Sequence, residues 1–216
     1  MKKSTLALIL VAAFAAQAHA GSVVNGPMSF NPIAASAYAE VTTDPVILNS
    51  EPWVIPQGYV QTIVSDETDL DIYVANDWHD MNTVNETGKH AGRYMYRTHE
   101  VRGGAIGNDG NSLRIDGGSG GAVSVVDLKT GVAKEVVGRA DWEALDGIVW
   151  TPWQTVLFAE EVGTAARPDP DAPQAQAGLV YELKLDKHHP MSAESVAVRP
   201  MLGALAHEGL EIDAEG

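Results

Sequence analysis

Residues Gly121–Val137 read GAVSVVDLKTGVAKEVV. A valine-rich run ends at Leu128, Lys129-Thr130-Gly131 supplies a turn, and Val132–Val137 resumes the β-branched pattern. Two such runs around a short Gly-containing turn predict a β-hairpin. The same layout returns at Leu179, where LVYELKLDKHHPMSAESVAV gives strand, Asp-containing turn and strand, 58 residues after the first start. Working outward, strands are predicted at Tyr59–Val64, Asp71–Val74, Met95–Val101, Ile148–Val149, Thr155–Ala159 and Ser195–Val198, with another element starting at Gly209–Asp213. Amphipathic helical periodicity is almost absent. Many short strands separated by turn residues indicate a sandwich, barrel or propeller. The repeated hairpin favours the propeller, whose repeats run to roughly 40–50 residues before insertions. The expectation is therefore an all-β, incomplete β-propeller over residues 57–216, with about three of six blades. The final LEIDAEG stops at a turn where a strand should follow, so the domain is expected to be truncated at its C-terminus.

Two stretches read as loops outside any packed core: Gly103–Gly121, which is rich in glycine, and Arg167–Gln176, RPDPDAPQAQ. The Asn108–Asn111 piece (NDGN) lacks calcium-loop spacing and reads as a turn-rich connection. Asn76–Asn82 (NDWHDMN) reads as a turn held by Asn and Asp side chains, in preference to a lining of the propeller's channel mouth. Trp150 and Trp153 flank Thr151-Pro152 and are expected to pack in the core at a strand corner.

The N-terminus has three parts: Lys2-Lys3, an apolar run Leu6–Ala16 and Ala18-His19-Ala20. That order predicts residues 1–20 to be a secretory signal cleaved after Ala20. The apolar run is shorter than the roughly 20 residues a spanning helix needs. The expected location is periplasmic or secreted, by the general route, since a twin-arginine pair is absent. Residues 21–56 read as an N-terminal extended segment. The chain carries a formal charge of −15, and loss of Lys2 and Lys3 with the leader takes it to −17. Nucleic acid is excluded as a partner, because phosphate contacts need Lys and Arg to displace counterions. Stable membrane insertion is not expected; oligomeric state is left open. Cysteine is absent, which removes disulfides, thiol nucleophiles and thiolate ligands. Any metal is left to oxygen or histidine, and a carboxylate-rich site favours calcium.

Three glutamates stand beside β-segments: Glu100 in Thr98-His99-Glu100, Glu161 in the Glu160-Glu161 pair and Glu208 in His207-Glu208-Gly209. Their spacings of 61 and 47 residues are about one blade each. Equivalent positions of successive blades face one central channel. Carboxylates converging there repel one another unless protonated or bridged by a cation, and a hard cation suits them. Alternation along a strand sends Glu160 to the face opposite Glu161. His99 and His207 read as hydrogen-bonded structural histidines. No Ser-His-Asp pattern nominates a protein nucleophile.

WEALDGIVWTPWQTVLFAEE at Trp142–Glu161, with AHEG at Ala206–Gly209 and the His-Glu pair in Met95–Val101, resembles the PhoX-type alkaline phosphatase family over roughly Gln57–Gly216. The resemblance implies an exported propeller that hydrolyses small phosphate monoesters at a calcium- and iron-containing centre. It implies metal-site roles for Glu100, Glu161 and Glu208, with Glu160 a neighbour. Two departures bear on the metals: the family's iron-ligating cysteine position is Ala159 here, and the twin-arginine leader is missing. Calcium is therefore expected, and iron is not. Two alternatives stay open: a non-catalytic calcium-binding propeller acting as a binding module, and a calcium-only propeller hydrolase of phytase-like or lactonase-like type.

Overall fold

The computed structural model describes residues 62–65, 70, 73–107, 120–164 and 169–213. The expected leader, the segment 21–56, Tyr59–Gln61, and the Asn108–Asn111 turn lie outside them. Within them the fold is all-β and contains no α-helix. Eight strands form two four-stranded antiparallel sheets in simple meander order. The first holds β1 (Tyr73–Val84), β2 (Tyr94–Gly107), β3 (Ala122–Asp127) and β4 (Val132–Gly138). The second holds β5 (Leu145–Trp150), β6 (Thr155–Glu160), β7 (Val180–Leu185) and β8 (Ala193–Val198). Among the described residues there are two such sheets rather than three, and no closed propeller. Thr62–Val64 and Gly209–Asp213 belong to neither sheet.

The predicted hairpin is β3–β4, with Val126 opposite Ala133 and Gly131 at φ 73 in the turn. The glycine-rich stretch read as a loop begins inside β2, which runs on to Gly107. The polar Asn76–Asn82 segment is not a turn but the middle of β1. It pairs Trp78 with Glu100 and His79 with His99, and then slips by one residue before Asn82 meets Arg97. The ladder to β2 satisfies its backbone, which local Asn and Asp turns otherwise do. The extra residue between His79 and Asn82 is a β-bulge, which bends the strand and re-aims the side chains within it.

Alternation decides what β2 contributes. Tyr94, Tyr96, Thr98 and Glu100 share the face turned to the second sheet, while Arg97 and His99 share the other. β5 packs against β1 and β2. The core joins Tyr94, Tyr96, Val123 and Val125 to Trp142, Leu145, Ile148, Trp150, Val156, Phe158, Tyr181 and Leu183. Tyr96 stacks on Trp150 with ring centroids 6.0 Å apart, and Phe158 stacks on Tyr181 at 5.5 Å. Each such side chain contributes roughly 1.5–3 kcal/mol through burial. Trp150 fits the expected core role, but Trp153 does not. It is 51% exposed at the tip of the β5–β6 turn, where its indole N–H donates to Glu182 at 2.7 Å.

The Pro-rich insertion also departs from expectation. Its Ala172 is buried in the core. Arg139 holds this segment down: its guanidinium lies 5.2 Å from the Trp142 ring and 5.6 Å from the Tyr181 ring, and it donates to Asp141 and to Asp171, the latter at 2.8 Å. Tyr181 adds a short hydrogen bond to Asp169. A composition that supports no core by itself is pinned by one buried methyl and a stacked cation.

Candidate metal centre

The candidate centre lies where the C-terminal half of β2, the start of β5 and the chain just after β6 meet. Thr98 is buried between the sheets, and its hydroxyl donates to the Asp146 carbonyl at 2.5 Å. This bond fixes the start of β5 against β2. Ala144, just before β5, has φ 43. The left-handed region disfavours residues with a Cβ. In this conformation the Ala144 carbonyl accepts the Glu161 N–H at 2.9 Å, while its own N–H reaches the Val101 carbonyl. Glu161 pairs across an isolated bridge with Ala206, and the His207 N–H donates to the Glu160 carbonyl at 3.1 Å. These contacts carry Glu208 to the same spot.

Asp146, Glu161 and Glu208 each place a carboxylate oxygen within 4.8 Å of the others. Asp146 is buried, Glu161 half-buried and Glu208 exposed, so the group opens to solvent on one side. Two more acids stand alongside. Asp80, in the β1 bulge, adds its negative charge beside Glu100 and Asp146. Burial pushes the Asp146 carboxyl up to about 7, and the charges of Asp80, Glu161 and Glu100 add to it. Burial also raises Glu100, opposed by Arg102 and reinforced by Asp80. Arg102 lies between Glu100 and Glu161 and donates short hydrogen bonds to both. The cluster thus already seeks positive charge.

Of the three glutamates singled out from sequence, Glu161 and Glu208 fall in the triad. Glu100 is joined to it through Arg102 rather than through mutual proximity. Asp146 is not singled out by the sequence, and Asp80 falls in the segment read there as a turn. A signal for Asp146 is present in the chain: an Asp-Gly pair inside an apolar strand places a carboxylate where burial requires a partner. Glu160 turns the other way, and its carboxylate accepts the N–H groups of Glu143 at 2.9 Å and Leu179 at 3.1 Å. Burial lifts it to about 7 against those two bonds. Its role is to tie the loop before β5 to the start of β7.

Neither histidine faces the triad. His99 is fully buried on the opposite face of β2, with Nε2 2.7 Å from the Ser124 hydroxyl and its ring edge-on to His79 at 4.7 Å. His207 turns into a groove of about 830 Å³ beside Val149, Leu157 and Leu210. The donors at the centre are therefore all oxygens. A hard divalent cation such as calcium fits that set; iron finds neither thiolate nor imidazole there. Ala159, at the resemblance's cysteine position, is buried and apolar. Neither a protein-family model nor a curated protein nor a solved structure matches this chain.

Proposed function

We propose that the two sheets are blades of a β-propeller, and that the chain carries the metal site of a PhoX-like, metal-dependent phosphate-monoester hydrolase acting outside the cytoplasm. The observation that carries this reading is the meeting of Asp146, Glu161 and Glu208 within 4.8 Å. Consecutive four-stranded meanders that bring carboxylates to one end match blades facing a common channel. Asp146, Glu161 and Glu208 would hold calcium. An ion held there would supply charge neutralisation and orientation for a phosphate oxygen. Arg102 sits beside it, a planar donor suited to phosphate once it releases Glu161. Thr98, Ala144 and Gly147 hold the geometry without touching substrate.

The buried Ala159 favours a second reading, a calcium-stabilised propeller without catalysis, because it stands where the resembled family has an iron-ligating cysteine. One assay separates the two. Phosphate release from an aryl phosphate is measured with calcium or chelator, beside Glu161→Gln. Chelator-sensitive turnover lost in the variant supports the phosphatase. Calcium binding without turnover leaves the non-catalytic propeller.

A further inference from the structure

Every lysine beyond residue 3 lies at one end of the two sheets. Lys89 is in the β1–β2 loop, Lys129 in the β3–β4 turn, Lys134 near the start of β4, Lys184 near the end of β7 and Lys187 in the β7–β8 turn. All five are exposed. His188 and His189 belong to the same β7–β8 turn, and His90 is half-buried beside Lys89.

Contacts between the loops hold this end together. Trp150 donates its indole N–H to Thr87 at 3.0 Å, Tyr96 donates to the Pro190 carbonyl at 2.9 Å, and Lys134 reaches Ser192 at 3.1 Å. The Leu128 N–H donates to the Arg93 carbonyl at 2.9 Å. Most acids of this end are already paired. Asp127 is matched by Arg93 and Glu182 by Arg199. Glu194 is matched by Lys184 at 2.7 Å, and Asp186 accepts the backbone N–H groups of His188 and His189. Glu86 and Asp186, the latter with only His189 at 3.4 Å, remain against Lys89, Lys129 and Lys187, none of which has an acidic side-chain partner among the described residues; Glu135 follows Lys134 along β4. A chain of net charge −15 thus gathers its lysines at the end opposite its acidic centre.

Apolar side chains protrude between the lysines. Trp153 is 51% exposed, Val132 55% and Leu128 39%, all at turn tips of this end. A soluble polyanion is held by the cations alone and has no use for exposed apolar tips. An anionic lipid surface uses both: ammonium groups sit in its negative potential while Trp and Leu enter the headgroup boundary. We infer that the hairpin end of the two sheets docks peripherally on an anionic phospholipid surface. The acidic centre then faces away from the lipid.

The test is vesicle sedimentation of the full chain. Vesicles of phosphatidylglycerol and phosphatidylcholine are compared with vesicles of phosphatidylcholine alone, in low and high salt. The variants are Lys129→Glu with Lys187→Glu, and Trp153→Ala. All carry the same N-terminus, so the apolar Leu6–Ala16 run cannot create differences among them. The expected result is binding to anionic vesicles about tenfold or more above neutral ones, weakened by salt. The double lysine variant loses that preference with an unchanged melting temperature, and Trp153→Ala lowers the binding that survives salt. Equal binding to both vesicle types, an undiminished preference in the double variant, or binding of soluble polyphosphate without vesicle binding would overturn the inference.

Discussion

A Cβ built on Gly147 would overlap the carbonyl oxygen of Glu208. β5 and the His207-Glu208 segment can pass this closely only because residue 147 has no side chain, and that approach delivers Glu208 to Asp146. Gly147→Ala therefore separates the two carboxylates. The expected cost is about 1–3 kcal/mol of overpacking. Calcium affinity falls while hydrogen exchange in β2–β3 stays as it was. Gly163→Ala is the control, since an added methyl there meets no atom within 4 Å. Calorimetric calcium titration of both variants checks the outcome.

Arg102 offers a second, opposite effect. Its guanidinium bridges Glu100 and Glu161 and occupies charge that a metal would otherwise meet. Arg102→Gln lowers the melting temperature in chelator, because the acids then repel unopposed. It also raises calcium affinity, by roughly two- to fivefold for a half-exposed pair. Titration and thermal unfolding on the same sample test both halves. A variant that binds calcium more weakly would place Arg102 among the supports of the site rather than against the ion.

The first hairpin is legible in the sequence because GAVSVVDL at Gly121–Leu128 sets Val123, Val125 and Val126 close together, with a Gly-containing turn after them. β6 and β7 are legible for the same reason, as dense β-branched and aromatic runs. β1 is not, because NDWHDMN has the composition of a turn, and only the ladder to β2 makes it a strand. Trp153 is misplaced by sequence alone, since a Trp-Thr-Pro-Trp corner gives no clue which ring turns inward. At the site, Glu161 and Glu208 follow from spacing and from the resemblance. Asp80 and Asp146 do not, because neither lies at the blade-like interval. Both reach the cluster through tertiary contacts: a bulge for Asp80 and the Thr98 bond for the Asp146 backbone.

Acid should loosen the hairpin end before the core. The Arg93 guanidinium, donating to Asp127 at 2.9 and 2.6 Å, holds that carboxyl well below its ordinary value; burial opposes and the Lys129 N–H assists. A carboxyl depressed on folding contributes stability that is complete above its unfolded pKa of about 3.9 and is lost as pH falls toward the folded value. The melting temperature of the wild-type chain therefore falls more steeply below about pH 4 than that of Asp127→Asn, and the two curves converge in strong acid. Parallel curves from neutral to acid pH would show that the pair adds nothing.

The most direct test of the central claim is thermal unfolding with calcium and with chelator, on wild type, Asp146→Asn and Glu161→Gln. If Asp146, Glu161 and Glu208 form one cation site, calcium at about a hundred times its Kd adds about 2.7 kcal/mol and raises the wild-type melting temperature by roughly 5–10 °C. Both variants lose most of that rise. A wild-type melting temperature indifferent to calcium, or a rise that both variants keep in full, would contradict the account.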